Sequence, residues 1–172
     1  VAGGGIGGLT FAAAAKRAGL RPIVIERMAE LGRSAAGGGL ALWPPSQRVM
    51  HEVGALEELE ASGAYMPAPC YRDRRGRALA RSGPAFSERF PILCFQRDSL
   101  TRALMASCRR LGVEVRTGQV AGVAVGEDGV SVELACGGTV DGDVLVGASL
   151  EEQRGHRDVG VEAREVERLL AV

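Results

Sequence analysis

The chain has one lysine, Lys16, and no asparagine among its 172 residues. Almost all its positive charge is arginine, which reads as a coding bias rather than chemistry. The lack of lysine has one firm consequence. A G-x-x-x-x-G-K-[ST] phosphate loop places lysine beside its glycines, and no such sequence occurs. Histidine is scarce as well, with only His51 and His156. The four cysteines, Cys70, Cys94, Cys108 and Cys136, form no C-x-x-C pair. So thin a set of ligands argues against a zinc site. It fits separate thiols in a reducing compartment, so a cytoplasmic location is expected. No apolar run reaches the ~18 residues of a membrane-spanning helix. Net charge is also missing, since 21 Lys+Arg balance 21 Asp+Glu. Such a chain is not built to bind nucleic acid or anionic membrane through bulk charge.

Glycine and small apolar residues are plentiful. There are 25 glycines, and the hydrophobic fraction is 46%. The length suffices for one domain with a real core. The chain opens on "VAGGGIGGL". Val1-Ala2 reads as the end of a strand, and Ile6 to Ala18 as a helix stopped by Gly19. "RPIVIE" is a short apolar run of the buried parallel-strand type. Strand, glycine turn, helix and strand in this order make the first βαβ unit of a doubly wound sheet, an α/β fold.

Further on, residues 27–39 read as a long loop and "LALW" as a strand ended by Pro44-Pro45. Two helices follow over 46–53 and 55–62, separated by Gly54. "CYRDRRGRALA" reads as a hairpin turning at Arg74 to Gly76. Its arginines look like a solvated tip rather than an RNA patch, because no aromatic ladder accompanies them. "PILCFQ" is strand-like. Leu100, Leu104, Cys108 and Leu111 share one face of a helix predicted over 98–111. "VEVRTG" begins a strand, and a three-strand meander turning at "GEDG" follows. Asp143 to Ala148 is predicted to return to the parallel sheet. After Ala148 the chain is charged, with an amphipathic pattern in its last twelve residues.

Gly3-x-Gly5-x-x-Gly8 matches the dinucleotide fingerprint. Gly3 allows a tight turn, Gly5 lets backbone approach a pyrophosphate, and Gly8 lets the helix pack on the sheet. The helix N-terminus offers free N–H groups to phosphates. Glu26 follows Gly8 by 18 residues, near the expected ~20, where its carboxylate can accept from a ribose diol. An acid at this point repels a 2′-phosphate and leaves NAD or FAD.

The order of "GGGIGGLTFAAAAKRAGLRPIVIER", "GGGLALWPPSQRVMHEVGALEEL", "FQRDSLTRALMASCRRLGVEV" and "VLVGA" resembles the FAD-dependent aromatic-ring hydroxylases. This is the family of p-hydroxybenzoate, salicylate and urate hydroxylases, and the resemblance covers about residues 1–148. It implies a Rossmann-like FAD-binding domain of the glutathione-reductase type over 1–148. Residues 68–96 would supply a partial β-sheet of a substrate domain. Backbone at Ile6, Gly7 and Gly8 would cradle the pyrophosphate, with Glu26 and Arg27 at the adenosine ribose. Gly39 to Ala41 would run near the flavin, Arg97 would reach its ribityl or phosphate region, and Val120 would touch adenine. NAD(P)H would be a transient reductant and a small aromatic compound the substrate. No residue of the chain stands out as catalytic.

The family continues its "VGA" strand into "GADG", where this chain has Gly147-Ala148-Ser149-Leu150. A later "G-D-A" motif of the family is absent. The C-terminal half is therefore expected to be missing, with 149–172 an atypical tail and activity doubtful. The alternatives are an inactive nucleotide-binding remnant or interaction module, and an NAD-binding Rossmann domain.

Overall fold

The computed structural model describes residues 1–27, 38–66, 70–81 and 91–148. Most of the predicted loop at 27–39, the charged tail with its amphipathic pattern, and His156 lie outside them. Helix α1 is Ile6–Arg17 and strand β1 is Ile23–Glu26. Then come β2 (Gly39–Leu42), α2 (Pro44–Glu52), α3 (Leu56–Ser62), β3 (Ala64–Tyr65), β4 (Cys70–Arg72) and β5 (Ala78–Arg81). The order finishes with β6 (Leu93–Gln96), α4 (Arg97–Leu111), β7 (Glu114–Thr117), β8 (Val120–Gly126), β9 (Gly129–Leu134) and β10 (Thr139–Gly142).

Strand β1 organises the fold because both its faces are covered. It pairs in parallel with β7, with Ile23 opposite Glu114 and Glu26 opposite Thr117. On its other side runs Val1-Ala2. The Ile25 N–H donates to Val1 at 2.8 Å and the Gly3 N–H donates to Ile25 at 2.8 Å. Ala2 in turn bridges Gly147 in parallel. The order across the sheet is therefore β7, β1, Val1-Ala2 and the segment at Gly147. The predicted return of Asp143 to Ala148 takes place, but as one bridge rather than a six-residue strand.

Val24 faces α1 and α4, joining a core with Leu9, Ala12, Ala13, Leu100, Ala103, Leu104 and Cys108. Its neighbour Ile25 points to the opposite face and packs on Val130 and Val132 of the meander. Alternate strand residues serve opposite faces, so a strand buried on both sides has to read as an unbroken apolar run. Helices, parallel sheet and the antiparallel β8–β9–β10 meander form three layers.

A second sheet, in the order β2–β6–β3, is antiparallel. Leu93 and Phe95 turn inward to meet Met50, Val53 and Leu59 of the α2–α3 region. Helix α2 begins at Pro44, two residues before the predicted start. Proline suits the first turn of a helix, where its missing N–H costs no intrahelical bond and its φ is already set. The two prolines that stop β2 thus also start α2. Helix α4 closes at Gly112, which sits in the left-handed region at φ 69°. The hairpin of β4 and β5 turns where predicted. Asp73 Oδ1 accepts from the N–H groups of Arg75 and Arg77, both at 2.9 Å. Arg72 is tied to the Gly76 carbonyl and Arg77 to Asp73, as suits a solvated tip. Among the described residues no helix is long and apolar enough to cross a membrane, and no cluster of metal-ligating side chains occurs.

Candidate nucleotide-binding site

The glycine turn joins Ala2 to α1 at the carboxyl end of the parallel sheet, where open α/β sheets take their ligands. Gly3 has φ 111°, which an L side chain rarely adopts. A Cβ built on Gly8 would stand 1.9 Å from the Gly3 carbonyl oxygen. That contact makes the turn tight and presses the head of α1 onto the sheet. A Cβ on Gly5 or Gly7 would meet nothing within 4 Å, so the outer side of the turn is open.

Helix α1 starts after Gly5 with no side-chain cap and no acidic residue in its first turn. Its first intrahelical bond runs from the Leu9 N–H to the Gly5 carbonyl at 2.9 Å. The N–H groups of Ile6, Gly7 and Gly8 therefore have no intrahelical acceptor, and the positive end of the helix dipole is unmasked. Backbone donors, dipole and open space together can bind an anion such as a phosphate.

Glu26 ends β1 beside this turn. Its Oε2 accepts from the Gly4 N–H at 2.5 Å, which fixes the carboxylate against the glycines. The Glu26 carbonyl accepts from the Gly118 N–H at 2.8 Å. That bond brings the start of β8, and so Val120, to the same end of the sheet. Arg27 follows Glu26 and is exposed. Gly3, Gly5, Ile6, Gly7, Gly8, Glu26, Arg27 and Val120 thus gather around one strand end.

Ala41 and Arg97 form a second group. Ala41 is exposed on β2 and pairs with Cys94. Arg97 opens α4, is exposed, and its guanidinium has no partner among the described residues. Its N–H donates to the Gly38 carbonyl at 2.9 Å, tying the helix head to the start of β2. Helix α4 packs along α1 in the main core. Near its far end, Cys108 Sγ donates to the Leu9 carbonyl at 3.4 Å, beside the head of α1. Arg97 precedes Cys108 by eleven residues, about 16 Å along a helix axis. Arg97 thus stands at the end of α4 remote from the Cys108–Leu9 contact.

Sequence reasoning passed over Gly4, whose role is a backbone donor. The fingerprint leaves that position free, so no side-chain pattern marks it. The buried amide of Gln47 was also missed. Its only sequence signal is a polar residue on the covered side of a short helix. His51 is exposed on α2.

A glycine turn feeding a bare helix head, an acid closing the next strand and a meander covering the far face define a dinucleotide-binding α/β domain. More narrowly, the chain belongs to the FAD binding domain family, which matches residues 1–167. Among curated proteins it is 36% identical over 159 residues to a 3-amino-4-hydroxybenzoate 2-monooxygenase of Streptomyces platensis, covering 78% of this chain and 40% of that protein. It is 33% identical over 155 residues to 3-hydroxybenzoate 6-hydroxylase 1 of Aquipseudomonas alcaligenes, covering 86% and 39%. Among solved structures, a variant of Klebsiella pneumoniae HpxO complexed with FAD superposes with a TM-score of 0.71 at 27% identity, covering 84% of this chain and 37% of that one. The chain thus spans about two fifths of the length of these proteins.

Proposed function

We propose that the chain binds FAD and forms the nucleotide-binding part of an NAD(P)H-driven monooxygenase acting on a small aromatic compound. The observation that carries this reading is the Gly3–Gly8 turn, closed by backbone contact and locked to Glu26 through the Gly4 N–H. Residues 1–148 are assigned to FAD binding, and the strands within 68–96 to the wall of a substrate domain. The N–H groups of Ile6, Gly7 and Gly8 hold the pyrophosphate. Glu26 accepts from the adenosine ribose, Arg27 lies beside it, and backbone at Val120 meets adenine. Ala41 and Arg97 serve the flavin end, the guanidinium of Arg97 reaching toward ribityl or phosphate oxygens. Bound flavin supplies the electron-transfer and oxygen chemistry, while this chain positions and shields it.

The test is a titration of the purified chain with FAD, followed by flavin fluorescence and by quenching of the single tryptophan, Trp43. Saturable uptake, poorly competed by NAD, is the expected result. A colourless chain that binds NAD tightly and FAD not at all would instead favour an NAD-binding domain. Adding NADH or NADPH to the FAD-loaded chain without oxygen is a separate measurement. Ser149-Leu150 stands where the family carries Asp-Gly, so little bleaching is expected. Full bleaching within seconds would reject that part of the reading.

A further inference from the structure

The β2–β6 ladder ends at two prolines. Stepping by two from the Arg97 N–H to Gly38 carbonyl bond, the hydrogen-bonded pairs fall at Leu40–Phe95 and Leu42–Leu93. The next such pair is Pro44 opposite Pro91, and neither has an N–H to give. The Pro91 carbonyl thereby loses the donor an ordinary residue at 44 would supply. Gln47 fills that place. Its Nε2 donates to the Pro91 carbonyl at 2.7 Å and to the Leu42 carbonyl at 2.7 Å. Its side chain comes from α2, the helix those prolines start, and the residue is 92% buried. One side-chain amide thus closes the ladder at the end opposite Arg97.

We infer that Gln47 is a positioning residue for the flavin end of the site. The inference rests on the FAD reading above. Gln47 sets the register of β2 on β6, and that register places Ala41, Gly38 and the head of α4 at Arg97. Ala41 lies one residue from the Leu42 carbonyl that Gln47 holds. Gly38 and the Arg97 N–H form the other end of the same five-residue ladder. An apolar side chain of equal length keeps the core filled but leaves the Pro91 carbonyl without a donor and takes from the Leu42 carbonyl its second one, beside the Leu93 N–H. The strand end can then slide or splay, and the far end of the ladder moves with it.

The test compares Gln47→Met with Ser107→Ala. Ser107 is also buried, and its hydroxyl donates to the Val53 carbonyl, away from β2 and Arg97. Both variants lose buried hydrogen bonding, so the melting temperature of both is expected to fall. The Kd for FAD is expected to rise at least fivefold in Gln47→Met and to stay within twofold of the parent in Ser107→Ala. The flavin's visible circular dichroism should change only in Gln47→Met. Equal effects of the two variants on Kd, or none from Gln47→Met, would overturn the proposal. Should Gln47→Met fail to fold, Gln47→Asn keeps a donor too short to reach both carbonyls. It is expected to raise Kd in the same direction, and an unchanged Kd would overturn the proposal in the same way. If the parent chain takes up no FAD, the functional reading itself falls. The ladder is then read by amide exchange without ligand. Leu93 and Arg97 are expected to exchange at least tenfold faster in Gln47→Met than in Ser107→Ala, and equal rates would overturn the role given to Gln47.

Discussion

Three glycines of one turn answer to different physics, and this is where single-residue predictions are sharpest. Gly8 is fixed by contact, because its added Cβ would lie 1.9 Å from a backbone oxygen that has nowhere to go. Gly8→Ala is expected to cost about 3 kcal/mol or more in urea unfolding and to abolish FAD uptake. Gly7 is helical and open outward. Gly7→Ala should stabilise the ligand-free chain by up to about 1 kcal/mol through helix propensity. Destabilisation by Gly7→Ala would show that the turn is more crowded than its geometry indicates. Gly4 acts through its N–H, held by Glu26. Glu26→Gln keeps an acceptor for Gly4 but removes the charge from the proposed ribose contact, so FAD affinity should fall roughly tenfold, about 1.4 kcal/mol. An unchanged Kd would remove Glu26 from the site. The fingerprint made Gly3, Gly5, Gly8 and Glu26 legible from spacing alone, because each position has a stated side-chain requirement. Gly4 was illegible, since what it contributes every residue except proline also has.

Among the elements, α4 is the one on which most of the core depends. Leu100, Leu104 and Cys108 lie on its buried stripe, as the spacing predicts, and Leu111 is half-buried at its end. The buried thiol of Cys108 gives this helix a pH signature. Burial pushes the thiol up, while the unfolded chain leaves it near the ordinary value of about 8.5. Above that pH the unfolded state releases a proton that the folded state keeps. Stability is therefore full below the ordinary thiol range and falls as pH rises through it. Urea unfolding at neutral and at alkaline pH should show this loss in the parent and less of it in Cys108→Ala. Equal loss in both would assign the slope elsewhere. In the folded chain Cys70 and Cys136, both exposed, should alkylate readily, and Cys108 only on unfolding. Element boundaries were legible where glycine or helical periodicity set them, as at Gly112 and Gly19. They were misread where proline serves two elements. Pro44-Pro45 reads as a strand stop, yet it is also the first turn of α2, and only the ladder across to Pro91 reveals the need for Gln47.

At the scale of the whole molecule, the layering was legible because β1 alternates its allegiance, Val24 to the helices and Ile25 to the meander. An apolar run of that length, between a glycine turn and an acid, specifies a strand covered on both faces. The joining of the glycine group to the Arg97 group was not legible, since it depends on how α4 lies along α1. That arrangement gives the molecule its last testable property. The glycine group heads α1 and the Arg97 group heads α4, two helices that share the main core, and a ligand touching both would hold α1, α4 and β2 together. Binding confined to the native state stabilises by mass action, about 2.7 kcal/mol at a hundredfold excess over Kd. For a chain of this size that corresponds to a rise of roughly 5–10 °C in Tm. ADP, which can fill only the glycine end, is expected to give a smaller rise than FAD when each is present at the same multiple of its own Kd. Mass action alone predicts equal shifts at equal saturation, so a shortfall with ADP requires that its complex leave the Arg97 end free to open locally before the core unfolds. Amide exchange at Leu93 and Arg97 decides between the cases. Slowing by FAD but not by ADP supports a ligand that spans the site, whereas equal slowing by both would confine binding to the glycine end.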